Sequence, residues 1–301
     1  MAKTLLWVSV FFVQFNCLAI GQELTLYIVP SPVQISWDSP SELMRTTLVN
    51  QFKNSPGPVD YPLGHIYVGL RDEDRGIEIL TGMTRDRRNS ANSKIFRKGY
   101  GMGILFADIE GRMQETEEVR KSLEALNESG EMSYITFSLP EAAFERLIKY
   151  YEEYSEAGYC SIYNGLNRPR EGLGAGCAMF SISFLEVAGI DYSPWWSDWS
   201  EYVKVPERLI GGLGINNRHV SLVKLALSRN WARDGEPYLP FEVFEPWNMH
   251  QWVVGFHQHP EEVAKKYPEL ELVRNSPVPG VHINARDLEA PEAPIFLHRG
   301  E

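Results

Sequence analysis

The chain of 301 residues carries 40 acidic and 29 basic side chains, a formal charge of −11, and 44% hydrophobic and 12% aromatic residues, with eight tryptophans. That apolar content builds a substantial core and excludes a disordered chain, and an acidic balance without any basic tract argues against binding nucleic acid or an anionic membrane surface. No stretch beyond residue 21 approaches the ~18 uncharged apolar residues of a spanning helix, so no integral membrane segment is expected.

Residues 1–21 read as a secretory signal: Lys3 is their one charge, Leu5 to Val13 form a short apolar run, and Ala19-Ile-Gly21 supplies small residues for cleavage before Gln22. The mature chain is then expected to begin near Gln22, to be secreted or periplasmic, and to keep two cysteines, Cys160 and Cys177.

Glu23 to Pro30 favours a strand, and Ser39 to Phe52 reads as a helix capped by a serine with Glu42 three residues on. His65 to Leu70 and Gly76 to Leu80 flank the charged turn Arg71 to Arg75 and predict an antiparallel hairpin. Asp86 to Lys98 is expected as an exposed loop, Met102 to Ala107 as a strand, Glu115 to Ser129 as a charged helix ending near Gly130, and Tyr134 to Leu139 as a strand. Pro140 opens a helix in which Phe144, Leu147, Ile148 and Tyr151 recur at helical spacing.

A glycine-rich loop, Gly172 to Gly176, then leads into Cys177 and the apolar run Ala178 to Ala188, stopped by Gly189. A cysteine in the first turn of a helix meets unpaired N–H groups and a partial positive charge, which favour the thiolate. His65 lies 112 positions upstream on the expected strand, so the chain holds both halves of a thiolate–imidazolium pair. Beyond Gly189, the Trp195, Trp196 and Trp199 cluster, a helix at Val220 to Asn230 and the proline-rich tail read as additions around a core.

The succession Gly64-His-Ile-Tyr-Val-Gly69, Ile77-Glu-Ile-Leu80, the Pro140 helix, Tyr163-Asn-Gly165 and Gly176-Cys-Ala-Met-Phe180 resembles the circularly permuted NlpC-type papain-like hydrolases, among them relatives of lecithin:retinol acyltransferase. The resemblance covers roughly residues 60–190 and implies an α+β fold in which an antiparallel sheet carrying the histidine precedes the cysteine helix. It implies Cys177 as nucleophile, His65 as base, and a polar residue on the paired strand orienting the histidine. Glu78 is the leading candidate for that third role, although the hairpin register also admits Thr81. Many relatives carry Asn before the cysteine, where this chain has Gly176. The implied organisation is a signal over 1–21, a papain-like core over 22–210 and a C-terminal extension over 211–301. The implied activity is cleavage of an amide or ester, and the expected export makes a cell-wall peptide the leading substrate, with a lipid or modified-protein amide next.

Two other readings stand beside this one. A Cys160–Cys177 disulfide would disable the nucleophile and leave a non-catalytic module that holds a polymer or partner through the Trp195 region. His250, His257 and His259, near Glu261 and Glu262, have a spacing that a metal site could use, but no HExxH or paired CxxC motif accompanies them. No dinucleotide, Walker or GxSxG fingerprint calls for a cofactor or a serine nucleophile.

Overall fold

The computed structural model describes residues 21–53, 61–86, 91–213, 218–274 and 276–297. The expected signal at 1–21 falls, apart from Gly21, outside them.

In chain order the elements are β1 (Gln22–Val29), α1 (Pro40–Lys53), β2 (His65–Asp72), β3 (Ile77–Thr81), β4 (Met83–Arg85), α2 (Ala91–Phe96), β5 (Ile109–Met113), α3 (Thr116–Ser129), β6 (Ser133–Leu139) and α4 (Glu141–Glu156). They continue as β7 (Ile162–Tyr163), α5 (Cys177–Ala188), α6 (Trp196–Trp199), β8 (Ser200–Pro206), α7 (Leu222–Ala226), β9 (Tyr238–Phe244), α8 (Pro246–Gln258), α9 (Pro260–Lys266), β10 (Leu270–Val273) and β11 (Gly280–Asn284). The fold is α+β. A six-stranded sheet in the order β10-β11-β6-β1-β2-β3 is antiparallel throughout except where β11 runs parallel to β6. β4-β5-β7 and β8-β9 form two smaller sheets.

Alternation explains the main sheet. Leu24, Leu26 and Ile28 of β1 face the same side as their partners Leu70, Val68 and Ile66 on β2, and all join the largest core cluster with residues of α4, α5 and α8. The intervening residues turn to the opposite side, where Tyr67 and Tyr134 pack with Val119 and Leu126 of α3. Helix α5 is predominantly apolar and ten of its twelve residues are buried, as expected of a helix inside the core rather than on its surface.

Several expected elements take their expected form. The hairpin appears as β2 and β3, and Ser39 caps α1 by accepting the Glu42 N–H at 3.2 Å. The expected strand at 102–107 is a 3-10 turn over Met102–Phe106 instead. Gly101 before it takes a positive φ of 52°, which turns the chain out of an extended path. Helix α7 is shorter than the expected 220–230 stretch.

The C-terminal region does more than lie against the core. β10 and β11 complete the main sheet, and Met249, Trp252, Val253 and Phe256 of α8 enter its largest cluster. Trp195 and Trp199 are likewise buried there, beside Trp252, with ring centroids 5.2 to 5.7 Å apart. A second cluster, built from α1, the 102–106 turn, α7 and the β8-β9 hairpin, sits apart from this core.

Candidate active site

The loop before α5 is built to deliver Cys177. Gly176 donates its N–H to the Asn164 carbonyl at 2.7 Å, and the Asn164 side chain is held by Asp108 at 2.8 Å. A Cβ on Gly174 would overlap the carbonyl oxygens of Tyr159 and Ile162, so this glycine serves close packing of loop on chain. Gly176 then caps α5, and Cys177 is its first residue.

The thiol is buried at the edge of the main sheet. β3 stops opposite Val68, and beyond that point the Ile66 N–H of β2 donates to Cys177 Sγ. Tyr163 donates its O–H to Sγ at 3.6 Å, and the Ala178 N–H adds a third donor. One turn along α5, Ser181 donates to the Cys177 carbonyl at 2.8 Å. All three donors favour the thiolate, yet burial outweighs them and pushes the thiol up from its usual range. The sequence predicted a thiolate lowered by the helix terminus; desolvation reverses the sign.

His65, the first residue of β2, is 2% exposed. Tyr61 stacks on its ring at 4.0 Å with an interplanar angle of 5°, and Tyr67 meets it edge-on at 4.4 Å. Its Nε2 lies 2.9 Å from Gln114 Oε1. The tautomer follows from the network. Gln114 Nε2 donates to the Glu118 carboxylate at 3.1 Å and to Tyr61 Oη at 2.8 Å, which turns the amide oxygen toward His65. An amide oxygen only accepts, so Nε2 carries the proton and Nδ1 is left as the base. Burial pushes His65 down to about 3, and the histidine is neutral across the physiological range.

His65 and Cys177 are linked through the start of β2 and through Tyr61. Ile66, which binds the thiol through its N–H, is the next residue after His65, and the Tyr61 ring that stacks on His65 also senses charge on Cys177. The pair rests as neutral thiol and neutral imidazole, not as the expected ion pair.

Glu78 does not reach His65. The hairpin register sets it opposite Arg71, and its carboxylate bonds Arg120 at 2.5 Å on the surface. Thr81 lies closer but acts on the backbone, donating its Oγ1 to the Gln114 carbonyl at 3.0 Å, while the Gln114 N–H donates to the Gly82 carbonyl at 2.8 Å. The side chain that orients His65 is Gln114, at the junction of β5 and α3. Nothing local in the sequence signalled it.

A Cβ on Gly82 would stand 3.1 Å from Gln114 Oε1 and 3.2 Å from His65 Nε2. Gly82→Ala is therefore expected to pry this bond apart by a few tenths of an ångström. The activity proposed below should fall about 10-fold in kcat with little change in KM, because small misplacements of a reacting group are costly.

A second buried group was also missed. Glu245 caps α8, is 4% exposed, and accepts from Trp37 Nε1 at 3.3 Å and from the Trp247 N–H at 3.5 Å. Burial pushes its carboxyl up to about 8, and its negative charge, when present, raises the Cys177 thiol. Pro246 next to it packs on Gly64, beside His65.

Cys160 and Cys177 are both free thiols, so the disulfide of the alternative reading is not formed. Of the histidine set, His250 bonds Ser133 Oγ at 3.0 Å and His257 bonds the Gly280 carbonyl at 2.9 Å. Among the described residues no group of three or more His, Cys, Asp or Glu side chains is placed to hold a metal ion, and no helix is long and apolar enough to cross a membrane. No family model, curated protein or solved structure matches the chain.

Proposed function

We propose that the protein is an exported cysteine hydrolase of the papain-like, circularly permuted type, cleaving an amide or ester bond, with a cell-wall peptide as the leading substrate. The observation that carries this reading is a buried thiol at the first residue of a helix, held by the N–H of the residue that follows a histidine whose Nδ1 is left unprotonated by the Gln114 bond at Nε2. The likeness of the Cys177 and His65 motifs to those hydrolases supports it from the sequence, as does the apolar leader for export.

Because both groups rest neutral, the chemistry is general-base attack. The Cys177 proton passes to His65 Nδ1 as Sγ bonds to the substrate carbonyl carbon, and the oxyanion takes hydrogen bonds from N–H groups of the first turn of α5. His65 then returns that proton to the leaving amine or alkoxide, and the C–N or C–O bond breaks to give a thioester. Water, deprotonated by His65, attacks the thioester carbonyl, and the proton goes back to sulfur as the acid leaves.

The test is hydrolysis of a panel of cell-wall peptides, acyl amides and acyl esters by the protein without residues 1–21. Cys177→Ala is expected to lower turnover by about 10³-fold or more, while Cys160→Ala leaves it unchanged. Full activity of Cys177→Ala on every substrate the unsubstituted protein cleaves would sink the reading.

A further inference from the structure

A groove of about 440 Å³ runs beside α8, bounded by α6 and the end of α9, and neither cysteine lines it. Its near end, Asn248, is one helical turn past Glu245. The floor is an aromatic strip: Trp252, Phe256 and Tyr267 are packed ring against ring, and each shows only a narrow edge to the groove. Trp252 also holds a buried indole N–H with no acceptor among the described residues. Two primary amides, Asn248 and Gln251, and the Asp198 carboxylate also line it; Asn248 donates to Glu201 at 2.8 Å, and Asp198 accepts from Tyr267 Oη at 3.2 Å. Lys266 lies 3.8 Å from that carboxylate, so the rim carries no net charge from the pair.

Gly255 sits in the middle of the same helical stripe. In a helix interior a glycine costs roughly 1 kcal/mol relative to alanine. No packing requires it, because a Cβ there would meet nothing within 4 Å. The missing side chain instead leaves the centre of the groove open.

We propose that this groove is a carbohydrate-binding subsite that takes a neutral pyranose unit of an oligosaccharide. A pyranose ring has an apolar face of C–H groups and a rim of paired hydroxyls. The ring edges and the bare Cα of Gly255 give the C–H groups an apolar seat, and the Gln251 amide, the free oxygen of Asn248 and the remaining acceptor capacity of Asp198 match the hydroxyls. The uncharged balance of Asp198 with Lys266 suits a neutral ligand over an ionic one. The assignment stands whether or not Cys177 is a nucleophile.

Titration of the protein with chitotetraose and with cellotetraose, followed by tryptophan fluorescence and calorimetry, tests this. Saturable binding of at least one sugar is expected, weakened at least about ten-fold, or about 1.4 kcal/mol, by Gly255→Leu, which fills the groove, and also weakened by Gln251→Ala on its exposed rim. Cys177→Ala should bind as the unsubstituted protein does, separating the groove from the thiol site. Leucine at 255 has open space and a better helix propensity than glycine, so an unchanged melting temperature is the control for folding. The proposal is overturned if neither sugar saturates at millimolar concentration, if Gly255→Leu binds unchanged, or if a tryptophan-containing tripeptide binds in the groove and the sugars do not.

Discussion

Gln114→Ala is expected to lower kcat of the proposed hydrolysis by about 10² to 10⁴-fold while KM moves little, the size of loss seen when a catalytic imidazole is left in the wrong tautomer. Gln114 is 2% exposed and touches neither sulfur nor any group on the route of attack; it acts through His65. Without its oxygen, the Nε2–H of a buried imidazole has no acceptor, and the ring gains by moving its proton to Nδ1, where a base is needed. The Tyr61 and Tyr67 rings hold the plane of the imidazole but cannot choose between its nitrogens. A purely structural role for Gln114 would cost about 1 to 3 kcal/mol of stability and leave the tautomer alone. The deciding measurement is therefore the ¹⁵N chemical-shift pair of His65: a proton on Nε2 in the unsubstituted protein, and a shift toward Nδ1–H in the variant. An unchanged tautomer with unchanged kcat would remove Gln114 from the site. Gln114→Asn, which keeps the amide but shortens the reach, should recover part of the loss.

The two ends of the proposed pair were legible in the sequence because each announces itself locally. Cys177 follows glycines and opens an apolar helix; His65 opens an alternating strand bounded by a turn. The third residue was not legible, because its position depends on register and on a distant junction. Extending the hairpin from Arg71 paired with Glu78 carries Glu78 to the turn end of β2, far along the strand from His65. Gln114, 49 residues from His65, arrives only because Thr81 and Gly82 grip its backbone where the chain leaves β5. The sign of the thiol shift was hidden for a related reason. A helix terminus can be read from a glycine before an apolar run, whereas desolvation depends on everything that closes over the site. The tail misled in the same way: β11, Gly280 to Asn284, finds its partner β6 146 residues earlier, and no local pattern encodes a parallel pairing at that range.

Glu245→Gln is expected to leave stability nearly unchanged at pH 4.5 and to raise it by on the order of 4 kcal/mol at pH 8.5. The sign follows from which state holds the proton more tightly. Burial raises the carboxyl from 4.5 to about 8 in the folded protein, so between these values the folded state binds more protons than the unfolded state. Stability attached to this group is therefore greatest below pH 4.5, falls as pH rises, and reaches its full penalty above pH 8. Glutamine is close in shape to the neutral acid and cannot ionise, so it removes the penalty without opening a cavity. His65 works in the opposite direction: its folded value of about 3 against 6.5 gives stability that is complete above pH 6.5 and lost as the pH falls toward 3. It is present in both proteins and cancels in their difference. Urea denaturation of the two proteins across this range measures the effect, and parallel curves would show that Glu245 is not an uncompensated acid. The same substitution reaches the thiol. Glu201 and Cys177 are the ionisable neighbours coupled to Glu245, and Glu201 is engaged by Asn248 at 2.8 Å. Removing the negative charge should lower the Cys177 value, so iodoacetamide should label Cys177 faster in the variant above pH 8 and at the same rate near pH 5, where Glu245 is protonated and as uncharged as the glutamine that replaces it.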